Sequence, residues 1–197
     1  MKKIIFIAQI IFLLSFKGCF AQKESDFKRI IETNKPEWIN SWENDPLLNF
    51  GYPKEWKILK KTDWYGGYWT HPSYTPFYIY SPSKTLFVDI YSRTMDIEIE
   101  NGDTILQYLE PESEIVLFDT IRKSAYSLAF IGSGTYFEDL IWVTDSCFIV
   151  LGACYEQGER PLIMIYDIEN MIYTEYKGPK NKRTYSYIDK IFNNKTK

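Results

Sequence analysis

The sequence predicts a mainly β fold, a β-dominated α+β domain built from two antiparallel meander sheets with short helices at either end. Three observations carry that reading. The chain is 45% hydrophobic and 18% aromatic, rich in Tyr, Phe and β-branched residues, a composition that favours pleated, half-buried surfaces over disorder. Its apolar runs are each about one strand long. They are separated by clusters of turn formers, most clearly in Glu138 to Tyr176, where Asp145-Ser146, the run 157–161 and the run 167–170 divide four strands.

Residues 1–21 place Lys2 and Lys3 before the uncharged run Ile4 to Phe16 and end in small residues around Gly18 to Ala21. Such a run is too short to span a bilayer and has the layout of a secretory signal peptide, so the chain is expected to be exported, to a periplasm, a cell envelope or the medium. Two processing routes compete. Cys19-Phe20-Ala21 forms an A-x-A-like site, whereas Gly18-Cys19 resembles the end of a bacterial lipobox, in which Cys19 would carry lipid and tether the protein to a membrane. Phe16 and Lys17 fit a lipobox poorly, so cleavage after Ala21 is favoured. It removes three lysines and no acid, which moves the formal charge from −3 to −6. A net-acidic exported domain argues against nucleic-acid binding, which rests on phosphate neutralisation, and suits a basic protein partner. Residues 22–197 are long enough for one domain with its own core, and no transmembrane helix is expected in the mature chain.

Within 22–50, Phe27, Ile30 and Ile31, then Trp38, Ile39 and Trp42, have the spacing of two short amphipathic helices. Ser25 or Asp26 caps the first and Pro36 suits the first turn of the second. Trp56 to Leu59 reads as an edge strand. Residues 64–80 crowd eight aromatic side chains among Gly66, Gly67, Pro72 and Pro76, the composition of an aromatic loop. Its rings either fill the end of a β core or face a ligand. Trp64, Tyr65, Trp69 and Tyr74 are the candidate ligand-binding residues, with Trp64, Trp69 and Tyr74 expected to be exposed.

Strands follow at Thr85 to Tyr91 and Thr94 to Glu100, with a hairpin at Asn101-Gly102 returning through Ile105 to Leu109. Glu114 to Phe118 and Tyr126 to Ile131 lead into the meander. In an extended strand Cys147 and Cys154 stand roughly 23 Å apart at about 3.3 Å per step, too far to bridge, and read as small buried side chains. The basic segment 178–197 carries Tyr185, Ile188 and Phe192 as the stripe of a last short helix and is expected to be a solvated end.

Laying residues 80–88 on residues 143–150, and Ile115 to Asp119 on Ile163 to Asp167, exposes an internal repeat: strand, turn, strand, insertion, strand ending in Asp, turn, strand. Residues 78–176 resemble two β-propeller blades. A propeller closes its ring with at least four, so two such sheets must bury their faces against each other or against the helices.

Reactive groupings are scarce. The only histidine, His71, has no serine motif beside it, and Gly132-Ser133-Gly134 lacks the spacing of a nucleophile elbow. Asp96, Glu98 and Glu100 alternate along one strand face, but the glycine falls one place late for a calcium loop and Gln107 stands where the closing Glu belongs. No metal or cofactor is expected. Asp63, Glu138 and Asp139 lie beside aromatic residues and are the candidate carboxylates of an alternative function, a small carboxylate-dependent carbohydrate-active hydrolase. The favoured function is a non-enzymatic exported binding or accessory protein that holds a glycan or protein partner on an aromatic surface.

Overall fold

The computed structural model describes residues 24–58, 70, 72–100, 103–108 and 112–195. The leader with Cys19, the residues Asp63, Trp64, Tyr65, Trp69 and His71, and the Asn101-Gly102 turn lie outside them.

The protein is β-dominated and layered. One sheet has five strands in the order β1 (Lys54–Lys57), β11 (Ile172–Lys177), β10 (Glu159–Asp167), β9 (Cys147–Tyr155) and β8 (Thr135–Thr144). A second has four, in the order β2 (Ile79–Tyr80), β3 (Leu86–Asp89), β6 (Ser113–Asp119) and β7 (Ser124–Ile131). The hairpin of β4 (Met95–Glu100) and β5 (Asp103–Tyr108) is the insertion between β3 and β6. All pairings are antiparallel. The two sheets are not both four-stranded, because β1 returns from the N-terminal side to pair with β11 and lengthens the meander by one strand.

The side chains of β9 and β10 explain why the larger sheet lies in the middle. Phe148, Val150, Leu162, Met164 and Tyr166 belong to a core shared with Phe87, Leu117 and Phe118 of the smaller sheet. The alternate residues Cys147, Ile149, Leu151, Ile163 and Ile165 belong to a second core with Phe27, Ile31, Trp38 and Trp42. A strand apolar on both faces needs cover on both. Helices α1 (Glu24–Asn34) and α2 (Pro36–Asn40) supply the outer cover, with Pro36 opening α2.

The repeat persists in pairing register. Phe87 pairs with Phe118 and Leu86 with Asp119, as Phe148 pairs with Tyr166 and Cys147 with Asp167. Asp119 Oδ1 accepts the backbone N–H of Ile121 and Arg122, and Asp167 Oδ1 that of Asn170. Four residues beyond each Asp, Lys123 and Met171 have φ of 53° and 57°. The two hairpins therefore turn alike, the aspartate holding the turn and a left-handed residue closing it.

Aromatic rings cross the larger sheet in register. Trp142, Phe148, Tyr166 and Tyr173 have successive centroids 4.9, 4.8 and 5.0 Å apart, and Trp56 lies 6.4 Å beyond on the edge strand. Each such pair contributes about 0.5–1.5 kcal/mol beyond its burial.

Candidate functional site

Local backbone irregularity builds the site. Along β8 the register shifts between Phe137 and Asp139, a β-bulge that leaves Glu138 as the extra residue. Regular alternation would put Glu138 and Asp139 on opposite faces. With the bulge, Phe137 and Leu140 both enter the inter-sheet core, and both carboxylates meet groups from the helical side. Gly152 makes this possible: a Cβ there would stand 2.3 Å from the carbonyl oxygen of Tyr136.

Glu138 Oε2 accepts the Trp38 indole N–H at 2.7 Å and an Arg183 Nη2–H at 2.6 Å. The same guanidinium donates from Nε to Glu159 Oε1 at 3.1 Å and from Nη1 to Ser41 Oγ at 2.6 Å, and it lies 3.5 Å over the Trp42 ring. Tyr136 OH donates to Glu159 Oε1. Burial pushes the Glu138 carboxyl up, with Arg183 and the indole pulling against it. Burial works to lower the Arg183 pKa, but the charge and hydrogen bond of Glu138, with Tyr136 and Glu159, together outweigh it and leave the guanidinium raised. The short, direct contact supports the ionised pair.

The segment 178–192 is therefore not a solvated end. Arg183 has a side chain only 13% exposed, and Tyr187, Ile188 and Phe192 of α3 (Tyr187–Lys195) are buried. The charge of Arg183 is spent on acids 45 and 24 residues earlier in the chain, while Lys180 and Lys182 stay exposed.

Asp139 faces a different neighbourhood. Its Oδ1 accepts the Leu140 N–H at 2.8 Å, while Oδ2 accepts the Tyr187 hydroxyl at 2.6 Å and pairs with the Lys35 ammonium at 2.6 Å. Burial first, then the charge of Asp139, raise the Tyr187 phenol and keep it neutral. This cluster forms one wall of a cleft of about 680 Å³, whose other walls are Thr33 to Glu37 at the α1–α2 corner, Tyr78 to Tyr80, and Ile191. The volume is in the range of small-molecule sites. β2 and β8 are edge strands of their sheets, and the Trp142 indole donates to the carbonyl of Ile79 at 2.9 Å, so the cleft opens where the two edges meet.

Of the expected ligand-binding rings, Trp64, Tyr65 and Trp69 lie outside the described residues. Tyr74 is in the core, not on the surface: it is 8% exposed and its hydroxyl donates to the carbonyl of Met95 at 2.8 Å. Its phenol is pushed up to about 12, by burial first and then by the charge of Asp96. The short 3-10 helix Pro72–Phe77 turns Tyr74 and Phe77 inward, and Phe77 packs on Phe192. Among the described residues of this stretch the exposed ring is the last, Tyr80, 44% exposed and backed by Phe87 at 5.2 Å. Sequence reading missed Tyr80 as a site residue; the signal was its place beside Ser81-Pro82, where the aromatic run ends at an edge.

Glu138 and Asp139, singled out as carboxylates near aromatic rings, are brought to one face but serve separate clusters. Glu98 is exposed and Ile97 buried, so that part of β4 alternates as its sequence implies. Among the described residues no group of three or more His, Cys, Asp and Glu side chains is placed to hold a metal ion, and no helix is long and apolar enough to cross a membrane. Cys154 is a free, buried thiol and is not bridged to Cys147; Cys147, however, is disulfide-bonded, so only Cys154 is the plain buried side chain that was expected of both.

No protein-family model, curated protein or solved structure matches this chain.

Proposed function

We propose that this is an exported bacterial binding or accessory protein, and that the cleft between the sheet edges and the α1–α2 corner is where it holds its ligand. The observation that carries the reading is the cleft itself. It is large enough for a small molecule or one segment of a larger one, is floored by the fixed Asp139, Lys35 and Tyr187 cluster, and is flanked by the exposed ring of Tyr80. Few, well-anchored polar groups beside an aromatic face are the usual make-up of a site that selects by binding. The basic front, apolar run and small-residue end of residues 1–21 support export, with Cys19 as a lipid tether if processing stops there.

The test uses immobilised mature protein exposed to solubilised cell-envelope material. Wild-type protein is expected to retain a component that the cleft-filling variant Asn34→Trp does not, with equal melting temperatures. Asn34 is exposed on the cleft wall, so the larger side chain occupies the space without touching the core. Equal retention by both proteins would remove the cleft from the account. Mass spectrometry of the mature N-terminus tests export: Gln22 or a lipidated Cys19 supports it, and an intact Met1 contradicts it.

A further inference from the structure

We infer that the cleft takes an uncharged, polyhydroxylated chain, a neutral glycan, with one sugar ring stacked on Tyr80. This inference rests on the reading of the cleft as a ligand site and adds the chemical class.

Charge is the first argument. Among the described residues, the charged side chains on the cleft wall are Lys35, Glu37 and Asp139. Lys35 pairs with Asp139 at 2.6 Å, and Glu37 pairs with Lys190 of α3 at 3.0 Å. Each of these charges is already balanced by a partner, so a charged ligand would compete with an existing pair, most expensively at Asp139, whose side chain is 8% exposed. Leaving a buried carboxylate unpaired is costly, so the wall rewards neither charge.

What remains open to a ligand is the second argument. Thr33 and Asn34 are exposed on the wall. The Asn34 amide donates to the carbonyl of Ile30 at 2.8 Å, which orients it and leaves its oxygen free to accept. Thr33 offers a hydroxyl that both donates and accepts, the match for a sugar hydroxyl. Across from them Tyr80 presents an aromatic face held in place by Phe87 behind it, and Ile79 and Ile191 add apolar surface. A sugar ring has one apolar C–H face and a rim of hydroxyls. It satisfies the aromatic ring and the amide and hydroxyl groups together, whereas an apolar ligand would strand the polar ones.

The experiment is affinity electrophoresis of the mature protein through gels containing dextran, laminarin, glucomannan or polygalacturonate, with Tyr80→Ala and Tyr80→Phe beside wild type and thermal melts of all three. At least one neutral polysaccharide is expected to retard wild type and Tyr80→Phe alike. Tyr80→Ala is expected to bind about fivefold to tenfold more weakly, the loss of one stacked ring, while a cooperative melt, lowered only by the lost Phe87 contact, shows the fold retained. Retardation by polygalacturonate alone, by none of the four, or by a neutral polysaccharide equally for Tyr80→Ala would each overturn the inference. Where Asn34→Trp abolishes envelope retention but no neutral polysaccharide binds, the ligand class is wrong and the cleft stands. Where neither assay responds to the cleft variants, both readings fall.

Discussion

Replacing Arg183 with alanine would leave Glu138 buried with only the Trp38 indole, and Glu159 with only Tyr136, among the partners described above. Removing one member of a buried ion pair typically costs about 3–5 kcal/mol. Urea unfolding of Arg183→Ala should show a loss of that size, and a change under about 1 kcal/mol would mean that the guanidinium is not needed by its neighbours. Tyr166 makes the opposite case. Its hydroxyl is fully buried, and among the described residues it has no hydrogen-bond partner. Burying an unsatisfied hydroxyl is unfavourable, so Tyr166→Phe should be neutral or more stable by about 1 kcal/mol, with the ring ladder intact. A clear loss of stability in that variant would show that the hydroxyl is satisfied after all.

At the scale of the element, the bulged strand β8 fixes where the carboxylates point, and Gly152 opposite is the residue it cannot do without. Gly152→Ala puts a methyl group into the backbone of Tyr136 and Phe137, where no side chain can rotate away. Overpacking of this kind costs about 1–3 kcal/mol, or more when backbone must move. The same shift should loosen the Lys35–Asp139 contact, so hydrogen exchange should rise along β8 and at the α1–α2 corner together; a rise confined to Gly152 itself would argue against a shared bulge.

Sequence reading reached this scale unevenly, for physical reasons. The strands of the meander were legible because apolar runs bounded by Asp, Gly and Pro leave little choice of structure. An edge strand near Trp56 and a helix through Ile188 and Phe192 were legible in outline, although the strand runs Lys54–Lys57 rather than from Trp56 to Leu59 and the helix starts after Tyr185. The bulge was not: adjacent Glu138 and Asp139 in an apolar strand hinted at broken alternation, but neither sign nor spacing says which residue is extra. The fate of Arg183 was hidden for a related reason. Its partners come from elements far away in sequence, and local composition shows only a basic tail. Tyr74 and Tyr80 look alike in composition; their different exposure depends on a short helical turn and an edge strand.

The whole molecule is held by two cores on either face of one sheet, with buried phenols in both. Burial raises Tyr74, Tyr91, Tyr136, Tyr166 and Tyr187 above the ordinary tyrosine value. In the unfolded chain these phenols ionise near pH 10. Above that pH the unfolded state binds fewer protons than the folded one, so their contribution is complete below about pH 10 and is lost as pH rises toward the folded values. Tyrosinate absorbance should therefore rise cooperatively above about pH 10, in step with loss of circular dichroism. Smooth ionisation of every tyrosine with the fold retained would contradict the buried arrangement.

The internal repeat belongs to this scale too. Matching registers and matching aspartate turns relate the two sheets, and the seam between their edges is where the proposed site opens. The most direct measurement of that claim is a two-dimensional amide NMR titration of the mature protein with a neutral oligosaccharide ladder. Saturable shifts are expected, grouped at Thr33 to Glu37, Tyr78 to Tyr80, Asp139, Tyr187 and Ile191. Shifts grouped instead along the exposed edge strand Lys54–Lys57, or no saturable shift at all, would contradict it.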